Sequence, residues 1–310
     1  MEKVKINLDD IIYPIRQNLS EFEKKLSSSF EFSNSMVDKI ANDTLSSRGK
    51  RLRPVLVFLF AGLCGQIKDE HINLAIAAEL IHNATLIHDD IIDEADKRHS
   101  KQTVHSKWNS KTAVLAGDYL LAKSLDALIE IKSTEILGLF SEMTKKICSA
   151  EIEQMLSLNS ESVEKYISRA ERKTALLFTL CAKGACLISE NPNTSEAFNY
   201  AKNLGIAFQI IDDILPFLNN YNEKTIQADF KNKTMTLPVI IAQENGAEIN
   251  FDDDFAKFRQ QVIKTKAIDK CNELALKYIQ TAIKNLDCFN ESEYKKSLCD
   301  LGTYVLDREF

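Results

Sequence analysis

The sequence predicts an all-α fold, and three observations carry that expectation. Only 9 Gly and 5 Pro punctuate 310 residues, so turns are few and helices long. Apolar residues make up 45% of the chain, ample for a large core. They recur at steps of three and four, the helical spacing. The length suits one large domain or two ordinary ones, and composition alone does not choose.

Taken in order, Ile12, Ile15, Leu19, Phe22 and Leu26 describe one amphipathic helix whose role is packing. Polar segments at 27–29 and 41–48 lead into Arg48-Gly49-Lys50-Arg51-Leu52-Arg53-Pro54, four cations at the mouth of an apolar helix from Val55 to Leu63. Cations at a helix start oppose the macrodipole, so the segment is either a solvated basic loop or a site for an anion such as phosphate. From Ile72 to Ile92 the pattern is apolar almost all round, which predicts a central helix. That helix carries the most informative stretch, Leu86-Ile87-His88-Asp89-Asp90-Ile91-Ile92-Asp93-Glu94. Asp89 and Asp93 stand one turn apart on one face with Asp90 beside them, and such repelling carboxylates call for a cation. Hard oxygen ligands of this kind suit Mg²⁺, which takes one or two protein carboxylates plus substrate phosphates and water. His82, about two turns before Asp89, lines the same side.

Residues 96–103 read as a polar loop, and helical patterns resume at 111–131, 134–158 and 161–188. In the last, Lys173-Thr174 opens an apolar run and is either a surface step or part of a cavity wall. A second acidic stretch follows, Ile210-Ile211-Asp212-Asp213-Ile214-Leu215, echoing Ile87-His88-Asp89-Asp90-Ile91-Ile92. Two such pairs on apolar helices suggest that Asp89, Asp90, Asp93, Asp212 and Asp213 face one cavity and share a metal cluster. A polar loop from Leu218 to Asn232 precedes Met235-Thr236-Leu237-Pro238, and 253–310 reads as two or three amphipathic helices.

The net charge of −6, from 39 basic and 45 acidic residues dispersed along the chain, gives no field for nucleic acid. No apolar signal core opens the sequence and no apolar run reaches membrane-spanning length, so a cytoplasmic protein is expected. Seven dispersed cysteines read as buried reduced thiols. All five histidines fall between 71 and 105, the region of the first carboxylates. There is no Gly-rich nucleotide loop, nucleophile elbow or His-Glu zinc helix.

Six motifs together resemble the trans-prenyl diphosphate synthases, the polyprenyl synthetase family, most like its long-chain members. They are Gly49 to Pro54, Ile81-His82 through Asp93, Leu115-Ala116-Gly117-Asp118, Lys173-Thr174, Phe208-Gln209 through Asp213, and Thr236-Leu237-Pro238. The resemblance implies a single all-α domain over 1–310, helices around a deep central cavity, and a homodimer. It implies Mg²⁺, about three ions per site: two on Asp89 and Asp93, a third on Asp212, holding an allylic diphosphate with Arg98, Lys173 and Lys224. Isopentenyl diphosphate would lie against Lys50, Arg53 and His82, with His99 and Lys233 at the family's further cationic positions. Thr174 and Gln209 would steady the allylic cation. Ala84 and Thr85, five and four residues before Asp89, lie where an aromatic floor stops the product in short-chain members. Both are small, which implies a long product of about six or more isoprene units, as in synthases of quinone side chains, since each added unit buries apolar surface.

Three positions depart from the family pattern. His99 replaces a second Arg after the first acidic stretch, Pro216 replaces the last Asp of the second, and Lys233-Thr234 shifts a lysine by one place. Pro216 supplies no ligand and predicts that the helix kinks or ends. These losses of charge keep open a catalytically weak subunit of a heterodimer, or a short-chain farnesyl or geranylgeranyl synthase. A class I terpene cyclase would need Asn, Ser or Thr and Glu in the second metal motif, which Asp212-Asp213 does not provide.

Overall fold

A computed structural model describes residues 6–30, 36–45 (backbone alone at 42 and 43), 49–98, 101–156, 161–218, 230 and 233–307. The chain is helical almost throughout, as expected. The N-terminal stripe, however, is not one helix. Pro14 has no N–H to donate, and the chain breaks into α1 (Leu8–Ile11), a 3₁₀ turn (Tyr13–Ile15) and α2 (Arg16–Ser28). Ile11, Ile15, Phe22 and Leu26 are buried, while Ile12 and Leu19 are only half-buried. Next come α3 (Met36–Leu45) and α4 (Leu52–Cys64), the latter buried on all sides from Leu56 to Ala61.

The centre is α5 (Asp69–Ile92). Asp69 and Glu70 sit at its positive end, and the Lys68 backbone N–H donates to His71 Nδ1 at 3.0 Å. Its interior lacks a polar face, so it must be covered on several sides. It packs on α2, on α4, on α7 (Ser110–Ile129) and on α10 (Leu176–Ile188). Between α5 and α7 lie a two-residue antiparallel ribbon, β1 (Lys97–Arg98) with β2 (Lys101–Gln102), and a short α6 (Val104–Lys107). No helix among the described residues is long and apolar enough to cross a membrane.

After α8 (Thr134–Leu156), the stretch predicted as one helix over 161–188 holds an irregularity. It comprises α9 (Val163–Ala170), a π-helical turn (Glu171–Ala175) and α10. A π turn inserts extra backbone and re-aims side chains, and this one carries Lys173 and Thr174. Helix α11 (Thr194–Ile214) crosses it tightly. A Cβ on Gly205 would sit 2.5 Å from the Ala175 Cα, an atom that cannot swing aside. The missing side chain therefore sets how closely Gln209, one turn later, approaches Thr174. Helix α11 ends where expected, because Pro216 cannot donate to the Asp212 carbonyl; a 3₁₀ turn (Leu215–Phe217) follows.

The chain closes with α12 (Leu237–Glu244), α13 (Phe255–Lys264), α14 (Ala267–Lys284) and α15 (Glu293–Leu306). Phe217, Phe230, Phe251 and Phe258 pack ring against ring beneath the end of α11. The expectation of buried thiols holds for Cys181, Cys186 and Cys271 but not for Cys148 and Cys288, which are exposed. The thiol beside Cys186 is that of Cys64, 3.1 Å away across α4 and α10, and not its sequence neighbour Cys181.

Gly205→Ala is expected to push α11 off the π turn and lower stability by about 1–3 kcal/mol, the usual cost of overpacking. Urea unfolding of the two proteins, at unchanged m-value, measures this.

Candidate active site

Asp89 and Asp93 end α5 on one face. Both lie at the negative end of the helix dipole, and burial raises the pKa of each, that of Asp89 to about 6 from the ordinary 3.8. Lys173 is the largest opposing influence on both, its ammonium favouring the two charged carboxylates. The cation that the carboxylate spacing called for therefore arrives from the π turn. Lys173 is anchored in turn by α8, 2.5 Å from the Glu151 carboxylate and donating to Gln154 Oε1 at 2.8 Å. Glu151 and Gln154 escape a reading of the sequence because polar residues three apart on a helix look like a solvated face. Beside this group opens a cavity of about 710 Å³ lined by Asp93, Glu151, Gln154, Arg169, Arg172 and Lys233, among others.

A second, cationic pole lies at the α4 end. Arg51 caps α4 in the left-handed region (φ 50°) and pairs with Glu23 at 2.9 Å and the buried Glu79 at 2.5 Å. Its charge is spent on joining α2, α4 and α5. Arg53, one residue inside the helix, is half-buried, with its guanidinium 5.2 Å from the centre of the Phe178 ring and its buried Nε without a partner. Burial draws its pKa down, opposed by the fields of Glu79, Cys181 and Asp212. His82 is held neutral by burial and by the guanidinium fields of Arg53, Arg98 and Arg51. Lys50 lies 5.4 Å from the centre of the Tyr304 ring. A half-buried guanidinium with an unsatisfied Nε beside a neutral imidazole is an arrangement that an anion completes.

Between the poles stand Thr174 and Gln209. The Thr174 hydroxyl donates to Gln209 Oε1 at 2.6 Å, and Gln209 Nε2 donates to Asp213 Oδ1 at 2.9 Å. Ala84 is 2% exposed, and the Thr85 hydroxyl turns back to donate to the His82 carbonyl at 2.8 Å. Neither presents bulk below the carboxylates.

Among the described residues no three His, Cys, Asp or Glu side chains gather closely enough to hold one ion. Two carboxylates diverge for identifiable reasons. Asp90 points to the other side of α5, where Arg98 Nε donates to it at 2.8 Å, at the wall of a separate cavity with Lys101 and Trp108. One residue along a helix turns the side chain by about 100°, so Asp90 cannot share the face of Asp89 and Asp93. Arg98 is thereby tied to Asp90, although its field still reaches Asp89, Asp93 and His82. Asp213 faces inward, taking hydrogen bonds from Tyr166 Oη at 2.7 Å, Gln209 and the Leu237 backbone N–H. Burial pushes its carboxyl up, and those donors pull it back. Asp212 lies within electrostatic reach of Arg53. Lys233 is exposed and paired with Asp252 at 2.9 Å. His99 and Lys224 lie outside the described residues.

Comparison with known proteins gives this arrangement its family. The polyprenyl synthetase family model matches residues 34–274. The chain is 34% identical to a prenyl transferase of Cyanophora paradoxa, covering 97% of this chain and 99% of that one. It is 33% identical to solanesyl diphosphate synthase 1 of Arabidopsis thaliana, a chloroplastic protein, over 99% of this chain and 80% of that one. The fold superimposes on a decaprenyl diphosphate synthase from Rhodobacter capsulatus with a TM-score of 0.89 at 26% identity, covering 98% of this chain and 100% of that one. The chain belongs to the polyprenyl synthetase family.

Proposed function

We propose that the protein is a Mg²⁺-dependent trans-polyprenyl diphosphate synthase, condensing isopentenyl diphosphate with an allylic diphosphate to make a long-chain all-trans product. The observation that carries this reading is a carboxylate group and a cationic group set against one helix, with small side chains between them along it. Asp89 and Asp93 stand with Lys173 at one end, Arg53 and His82 at the other, and Ala84 and Thr85, both small, would leave a lane for the product beside them.

The donor set fits Mg²⁺: hard oxygens on a rigid helix, too few to enclose an ion, so that water and diphosphate oxygens complete the shell. Asp89, Asp93 and Asp212 would hold the ions, which supply Lewis-acid stabilisation to a departing diphosphate. Lys173 adds its own positive charge to the allylic diphosphate. Arg53 and Lys50 bind the diphosphate of the second substrate, and the neutral His82 donates a hydrogen bond without adding charge beside three guanidiniums. Once the allylic C–O bond lengthens, positive charge on carbon faces the oxygens of Thr174 and Gln209, while the apolar walls keep water from capturing it. The double bond of isopentenyl diphosphate attacks, and the released diphosphate takes the surplus proton. The growing tail passes Ala84 and Thr85. The whole chain would work as one catalytic domain in a homodimer within an aqueous compartment.

Three outcomes are expected. Asp89→Asn keeps the shape of the side chain but removes its charge, and should lower kcat/KM by about 10²–10³-fold with a raised Mg²⁺ requirement, read in an isopentenyl diphosphate incorporation assay. Because the folded Asp89 carboxyl keeps its proton up to about pH 6, Mg²⁺ binding should weaken as pH falls through 6. The metal-free protein should gain stability over the same fall, since the folded state binds the extra proton. Thermal midpoints with and without Mg²⁺ between pH 5 and 8 check both signs, and Asp89→Asn should flatten the response. Supplied with farnesyl diphosphate, the wild type should yield products of about six or more isoprene units by mass spectrometry. Ala84→Phe should shorten them, and a wild-type product of three or four units would exclude the open lane.

A further inference from the structure

The side-chain network behind Gln209 carries a consequence for catalysis. An amide side chain has two nearly isosteric ends, one donating and one accepting, and its neighbours decide which way it faces. Gln209 has two neighbours. On one side is the Asp213 carboxylate, already accepting from the Tyr166 hydroxyl at 2.7 Å and from the Leu237 N–H at 3.4 Å. A carboxylate that takes an O–H and an N–H is an acceptor, so it requires the NH₂ end of Gln209, which it receives at 2.9 Å. That choice turns Gln209 Oε1 the other way, where the Thr174 hydroxyl donates to it at 2.6 Å. With its proton directed at Gln209, the Thr174 oxygen keeps its lone pairs for another neighbour.

We propose that Tyr166 and Asp213 are positioning residues that fix the Gln209 amide, so that oxygen lone pairs of Gln209 and Thr174, and no N–H dipole, face the carbon that becomes cationic. This rests on the synthase reading above. Tyr166 suits the role: it is 2% exposed, and Arg169 holds its ring face at 5.4 Å. Arg169 also donates to the Met235 carbonyl at 2.9 Å, tying α9 to the turn that presents the Leu237 N–H. The three donors to Asp213 thus come from α9, α11 and the start of α12, so the carboxylate is held from three directions. The same bonds account for Asp213 turning away from the face of Asp212. A donor dipole at an allylic cation is destabilising where an oxygen is stabilising, so the direction of one amide changes the barrier without changing how diphosphates bind.

Two substitutions in the full-length protein test the assignment. Tyr166→Phe removes one oxygen and leaves the buried ring. Asp213→Asn offers an NH₂ that requires the oxygen of Gln209, turning the amide's own NH₂ toward Thr174. Steady-state rates with farnesyl and isopentenyl diphosphates over a Mg²⁺ series should show kcat reduced about tenfold in Tyr166→Phe and about a hundredfold in Asp213→Asn. The KM for both substrates and the Mg²⁺ concentration at half-maximal rate should stay within about twofold. A kcat within about twofold of wild type in either variant overturns the proposal. So does a loss that appears as a raised Mg²⁺ requirement, which would make Asp213 a metal ligand. Wild-type protein inert with every allylic primer would overturn the synthase reading itself, and this one with it.

Discussion

The structure depends on keeping two like charges close together at the end of a buried helix. Asp89 and Asp93 repel across one turn, sit at the negative end of the α5 dipole and lose hydration through burial. Each effect favours the protonated carboxyl; burial foremost, with the fields of Glu151 and Asp93, raises Asp89 to about 6. Lys173 supplies the opposing field, and the chain goes to some length to deliver it. A π turn aims it, Glu151 and Gln154 hold it, and the Gly205 contact seats α11 against the same turn. What remains is a carboxylate site whose negative charge is incompletely balanced.

The opposite pole solves the converse problem. Burying several cations together is costly unless each has a partner. Arg51 is neutralised by Glu23 and Glu79, and Arg98 by Asp90. His82 stays neutral, and Arg53 leans on the face of Phe178 with one nitrogen unsatisfied. Charge that serves the fold is paired within the fold. The two acidic stretches are also divided: Asp89 and Asp93 share the field of Lys173, whereas Asp90 and Asp213 bind to Arg98, Tyr166 and Gln209.

Much of this was legible in the order of residues. The apolar girth of 72–92 placed α5 at the centre, because a helix without a polar face has to be surrounded. Pro216 ended α11, since a missing N–H cannot be replaced locally. The spacing of Asp89 and Asp93 demanded a cation. Pro14 was readable too, but the apolar stripe at 12–26 was persuasive enough to hide the break. Tyr166 lies seven residues before Lys173, so the inner face of 161–188 carried backwards would have reached it. Nothing near it in the chain, however, shows that its hydroxyl is bound to a carboxylate 47 positions away.

By itself, then, the sequence determined what depends on one residue and its near neighbours: helices from period, their ends from Pro, the carboxylate face from spacing, and the family from motifs in order. The tertiary structure decided which partner each charge takes. Asp90 and Asp213 look interchangeable with Asp89 and Asp212 along the chain. They part company because a step of one residue turns the side chain by about 100°, and what waits on that side comes from distant segments. Lys173 met Glu151, Arg51 met Glu79, and Gln209 was oriented by a tyrosine on another helix. Such pairings are set by helix crossings and close approaches, which no local pattern encodes.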